Sequence, residues 1–148
     1  MFVQRLDHVG ITVADLERAV SFFGALGLEV EGRTVVEGEF IDTVIGIAGA
    51  RSEIVMMRVP GTPAGAARVE LSSFQQPAPV EGPPDPPATM LGLRSVALEV
   101  EDVNALVDHV ANLGFDLVGG IGDYQGSWRM AYVRGPEGII VALAQRLG

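Results

Sequence analysis

Imidazole, carboxylate and aromatic groups carry whatever chemistry this chain can do, because it contains no cysteine. Thiolate nucleophiles, disulfides and Cys-based zinc sites are thereby excluded. Of the two histidines, His8 stands in "HVGITV", where bulky branched residues alternate with small or polar ones. A histidine at such a place is a metal ligand, a binding-site group, or a side chain satisfied by a carboxylate or water at a sheet end. His109 lies in a helical pattern and reads as a surface or packing residue. In "SWRMAYV" the sole tryptophan, Trp128, shares a face with Met130 and Tyr132, with Arg129 and Ala131 on the other. That face is either a stacking platform for a planar ligand or ordinary packing under a helix. "GGIGDYQG" does not open a helix after a strand, so it is not expected to cradle phosphate, and "RGPEG" reads as a turn.

The elements that position these groups are written twice. Leu6–Gly32 and Leu93–Gly119 align without a gap, with Val9/Val96, Asp15/Asp102, Val20/Val107, Gly27/Gly114 and Gly32/Gly119 among the identities. Each copy opens with an alternating strand, "HVGITV" or "SVALEV". Asp15 and Asp102 follow as helix N-caps, whose carboxylates accept from free N–H groups. Leu16, Val20, Phe23 and Leu26 form one apolar stripe, and Val103, Val107, Val110 and Leu113 form its counterpart. Gly27 and Gly114 are placed for left-handed helix exits. Strands are expected at "LEVEGRTV", "SEIVMMRV" and "RVELSSF", and again at "FDLVGG", "WRMAYVRG" and "GIIVALAQ". The pattern is βαβββ twice: a first module over 1–75, a proline-rich linker over 76–91 and a second module over 92–148.

Composition narrows the partners. At 148 residues and 48% hydrophobic content the chain can bury a core. A net charge of −9 with scattered cations argues against nucleic acid and against anionic membrane surfaces. No run approaches the roughly 18 apolar residues of a membrane span, and no signal-peptide pattern opens the chain, so a cytoplasmic location is expected.

A tandem βαβββ carrying "LDHVGITVADLERAVSFF…LGLEV", "RVELSSF" and "YVRGPEGIIVAL" resembles the glyoxalase/bleomycin-resistance/dioxygenase (vicinal oxygen chelate) superfamily. The resemblance implies an α+β fold in which each module curls a mixed sheet into half a cup with helices outside. The halves pair within one chain or, by exchange, across a homodimer, and a homodimer is the expected assembly. Metal-using members take two ligands from each module, on its first and last strands. Carried over residue by residue, His8 and Glu70 match the first two ligand positions. Ser95 and Ala142 fall on the other two.

This count decides the expected chemistry. A catalytic divalent metal needs three protein ligands and an open position, and a neutral hydroxyl and a methyl group complete neither. Tight binding of Zn, Ni, Mn or Fe is disfavoured, and extradiol-type dioxygenase chemistry with it. Glu99 shares strand parity with Ser95 and is the nearest substitute carboxylate, while Gln145 lies off that face. In "RVELSSF", Arg68, Glu70, Ser72 and Phe74 share one face. The expectation is therefore a small-molecule binder with a half metal site at His8 and Glu70. Its small organic ligand is expected to meet Phe74, Ser95, Glu99, Trp128, Met130 and Tyr132. The alternative is a metal-dependent lyase or isomerase of the glyoxalase I or epimerase kind.

Overall fold

The computed structural model describes residues 2–148, in two compact units that divide after Glu81. The first unit runs β1 (His8–Thr12), α1 (Leu16–Ala25), β2 (Glu29–Glu37), α2 (Glu39–Ile45), β3 (Arg51–Arg58) and β4 (Arg68–Gln76). Its sheet has the order β1-β4-β3-β2, with β1 parallel to β4 and the other pairs antiparallel. The second unit runs β5 (Ser95–Glu99), α3 (Val103–Ala111), β6 (Gly122–Tyr124), β7 (Trp128–Arg134) and β8 (Ile140–Arg146). Its order, β5-β8-β7-β6, repeats the first. Both units have the βαβββ plan, the first with one added helix.

The two main helices start where the aspartates stand. Asp15 accepts from the backbone N–H of Arg18, and Asp102 from that of Ala105, both at 3.0 Å. Gln145 adds an acceptor for the Val103 N–H at 2.9 Å, so α3 is held at its start by two side chains. Gly27 and Gly114 leave the helices at φ 110° and 93°, values an L side chain would resist.

Each helix covers one face of its sheet. α1 buries Leu16, Ala19, Phe22 and Phe23, the two rings meeting edge to face at 5.2 Å. They pack over β4, where Val69 and Leu71 are buried, and Val55 and Met57 of β3 are buried as well. α3 buries Val103, Val107 and Val110 over Ala131, Val133, Val141 and Leu143. The stripes differ in detail from expectation. Val20 is only half-buried, Ala19 and Phe22 take the inner positions, and Leu113 is 52% exposed while Phe115 turns inward.

Two elements depart from the sequence reading. α2 arises between β2 and β3, where Asp42 accepts from the N–H groups of Gly49 and Ala50 and so ties the helix to the start of β3. The strand expected at "FDLVGG" shrinks to an isolated bridge between Leu117 and Val133, and the edge strand forms later, at Gly122–Tyr124. The successive glycines Gly119 and Gly120 give a pairing strand no side chains to pack, which favours that break. Among the described residues no helix is long and apolar enough to cross a membrane.

Candidate ligand-binding site

The face of the first sheet away from α1 brings His8 and Glu70 together. Strand register places His8 opposite Arg68 and Gly10 opposite Glu70, so the histidine and glutamate are diagonal neighbours. Gly10 has no side chain to stand between them, and a Cβ there would meet nothing within 4 Å. His8 Nε2 lies 3.3 Å from Glu70 Oε2, and Nδ1 lies 2.7 Å from Asp7 Oδ2. Asp7 also accepts from Arg68 at 3.0 Å and from Arg5 at 3.2 Å. Its hydrogen bond to His8, joined by the two guanidinium charges, holds its carboxyl below the usual carboxylate range.

The proton count at this cluster is informative. With Nδ1–H donated to Asp7, a neutral His8 presents a lone pair at Nε2 to a carboxylate oxygen. Two acceptors at 3.3 Å repel unless a proton or a cation lies between them. The pair is thus satisfied when a proton lies between Nε2 and the Glu70 carboxylate, or when both groups face a cation. The Asp7 carboxylate behind the ring fixes its orientation in both cases. Within this unit the cation would find two donors. Among the described residues no three His, Asp or Glu side chains gather into a metal-holding group. Within this unit those residues do not by themselves fit a resident catalytic metal.

Phe74 stands on the same face near the far end of β4, half-buried and opposite Ser52. Ser72 and Thr12, between it and the His8 cluster, lie 3.5 Å apart.

The second unit repeats the register with different chemistry. Ser95 pairs with Ile140, and Ala97 with Ala142, which also faces Tyr132 across β7. Ala142 is buried, whereas Tyr132 and Met130 are each 37% exposed. Arg146 lies over the Trp128 ring, its guanidinium carbon 4.4 Å from the ring centre, so one ring face is already covered. Arg146 in turn lies 3.5 Å from Glu99. Glu99 sits two residues beyond Ala97, about 7 Å along the strand, and serves as this cation's partner. Gln145 faces α3 as strand parity predicts, and His109 is exposed in the last turn of that helix.

Alternation places Arg68 on the face of Glu70, but it does not point to Asp7 or Arg5 as parts of the His8 cluster. Strict alternation sends Asp7 to the face opposite His8, but Asp7 precedes the paired strand, where alternation no longer holds. The direct sequence signal was its adjacency to the histidine.

Comparison with known proteins agrees with this architecture. The model of the Glyoxalase/Bleomycin resistance protein/Dioxygenase superfamily matches residues 7–132. A glyoxalase family protein from Bacillus cereus is 40% identical, covering 99% of this chain and 96% of that one, with a TM-score of 0.92. The trypanothione-dependent glyoxalase I of Leishmania major shares the fold at 22% identity and TM-score 0.68, over 97% of this chain and 87% of that one. A genomically encoded fosfomycin resistance protein from Listeria monocytogenes shares it at 13% identity and TM-score 0.64, over 99% and 95%. No curated protein matches the chain. Repeated βαβββ units, their register and the family match agree: the chain belongs to the glyoxalase/bleomycin resistance protein/dioxygenase superfamily.

Proposed function

We propose that this chain is a small-molecule-binding protein of the glyoxalase/bleomycin-resistance type, whose metal site is reduced to His8 and Glu70. The observation that supports this most is the pairing of those two groups across 3.3 Å, while Ser95 and Ala142 stand at the corresponding places of the second unit. Two donors hold a divalent ion too weakly for catalysis, yet a polarised imidazole–carboxylate pair recognises a polar group well. Phe74 on the first unit, and Ser95, Glu99, Trp128, Met130 and Tyr132 on the second, are the side chains proposed to meet the ligand. A homodimer and a cytoplasmic location belong to the same reading.

One observation favours the second reading, a metal-dependent lyase or isomerase: Asp7 orients the His8 ring from behind, as carboxylates do behind metal-bound imidazoles. Metal analysis of protein purified without chelators separates the two. The binder reading expects substoichiometric Zn, Ni, Mn and Fe, and a small-molecule screen by thermal shift whose hits lose their effect in Glu70→Gln. Stoichiometric metal that vanishes in His8→Ala overturns it in favour of the enzyme.

A further inference from the structure

Next to the His8 cluster the first unit has an open pocket of about 350 Å³, lined by Arg5, Arg58, Arg68, Glu31 and the loop from Thr62 to Ala66. Three of the chain's ten cationic side chains meet here, in a protein of net charge −9. Their acceptors are unequally supplied. Arg68 donates to Glu31 at 2.8 Å and to Asp7 at 3.0 Å. Arg5 donates to Asp7 at 3.2 Å and reaches the Gly65 carbonyl only at 3.4 Å. The Arg58 guanidinium makes no hydrogen bond among the described residues. Glu29 Oε1 lies 3.3 Å from its Nε at an angle that leaves this buried N–H unsatisfied.

The second unit shows what an arginine at this place does when an acceptor is present. Met56 pairs with Glu70 and Tyr132 with Ala142, so two residues on, Arg58 and Arg134 are equivalent, each ending the third strand of its unit. Arg134 donates to the Pro86 carbonyl at 2.9 Å and to that of Gly138 at 3.4 Å, with Asp85 at 3.9 Å. The proline-rich strap fills that corner so closely that a Cβ on Gly138 would meet Pro84 O and Pro86 Cδ at 2.6 Å. In the first unit a longer loop, residues 59–67, leaves the corner open, and among the described residues only Glu29, in an ion pair at 3.3 Å, approaches Arg58.

We propose that the pocket at Arg58 is an oxyanion subsite, taking the carboxylate or phosphate-type group of the small molecule that binds at His8 and Glu70. The inference rests on the binding function proposed above and names the chemistry of one end of its ligand. Arg58 and Arg5 bind the oxyanion. Arg68, neutralised by Glu31 and Asp7, is a positioning residue that joins the subsite to His8 through Asp7. The ligand is then a small organic anion whose uncharged body extends from the arginine corner across His8 and Glu70.

Inorganic phosphate and acetate are the probes, titrated against chloride at constant ionic strength and read by calorimetry and thermal shift. Saturable phosphate binding is expected in the wild type, weakened about tenfold or more in Arg58→Gln. It should be unchanged in Arg51→Ala, whose guanidinium bonds Glu37 and Gln75 at the other end of β3. Glu29→Gln removes the competing carboxylate and should tighten phosphate, a gain that a merely structural role for Arg58 does not give. No saturable binding of either anion, or binding equal in Arg58→Gln, overturns the subsite. Uncharged ligands that depend on Glu70 would then leave the binder reading standing. Phosphate bound through Arg58, with no organic ligand in the screen, keeps the subsite and sinks the binder reading instead.

Discussion

In the first unit Asp7, His8 and Glu70 form a chain of contacts at 2.7 and 3.3 Å; in the second the same three places hold Arg94, Ser95 and Ala142. On the helix-covered face the two units stay alike. Val9, Ile11, Val69 and Leu71 answer to Val96, Leu98, Val141 and Leu143, because any polar group there would be buried without a partner. On the other face Arg68 answers to Ile140, Glu70 to Ala142 and Ser52 to Trp128. Packing therefore constrains one side of each sheet and leaves the other to diverge. One unit has taken charged hydrogen-bonding groups and the other aromatic and aliphatic surface.

The sharpest way to break the comparison is at a position where the two helices are aligned but not equivalent. Phe22 is fully buried, and its counterpart His109 is exposed. Phe22→Ala is expected to cost about 3–5 kcal/mol by denaturant unfolding. His109→Ala should stay within about 0.5 kcal/mol, the range of surface substitutions. Equal effects would mean that α3 buries a different face from the one described.

The strap gives the next largest effect. Gly138 has φ 78° and stands against Pro84 and Pro86, whereas Gly126, at φ 68°, has nothing within 4 Å of a Cβ. Alanine at either position strains the backbone by about 1–3 kcal/mol. Gly138→Ala should cost more, since the strap must also move, and thermal unfolding of the two variants side by side measures the difference. A smaller loss at Gly138 than at Gly126 would mean that the strap is not seated on the turn.

The smallest expected effect is electrostatic and belongs to the first unit. The Asp7 carboxyl is held below its ordinary value by His8 and the two arginines. A depressed carboxyl stabilises the folded state above its unfolded pKa, near 3.8, and that contribution is lost as pH falls through the folded value. Asp7→Asn should therefore lower stability at neutral pH and flatten the acid limb of the stability profile below about pH 4. Because Asp7 is half-exposed, the change should also shrink in high salt. Stability curves measured from pH 7 to pH 2.5 check both points, and an unaltered acid limb would contradict the role given to Asp7.

Much of the scaffold was legible in the sequence. The gapless repeat gave both helices their caps, because Asp15 and Asp102 bond N–H groups three residues away, an interaction local enough to read from spacing. α2 was not legible: it is seven residues long, lacks a side-chain N-cap and leaves Phe40 and Val44 exposed, so it shows neither cap nor stripe. Leu113 is exposed and Phe115 buried because the chain turns at Gly114, with φ 93°, where helical periodicity stops predicting direction. At the candidate site, alternation and resemblance picked out His8 and Glu70. The engagement of Trp128 and Glu99 by Arg146 depends on three strands meeting, and alternation within any one strand does not report it.

The sequence by itself determined what repeats: two βαβββ units, their helix starts and the apolar faces they bury. These follow from short-range hydrogen bonds and from side-chain periodicity, both of which act within a few residues. Tertiary structure alone decided what lies beside what. His8 is held between Asp7 and Glu70, and Arg58 faces an open corner that Arg134 finds filled by Pro86. Apart from the one with the neighbouring Asp7, those contacts join residues tens of positions apart. They are set by strand register and loop length, which give two copies of one pattern different neighbours.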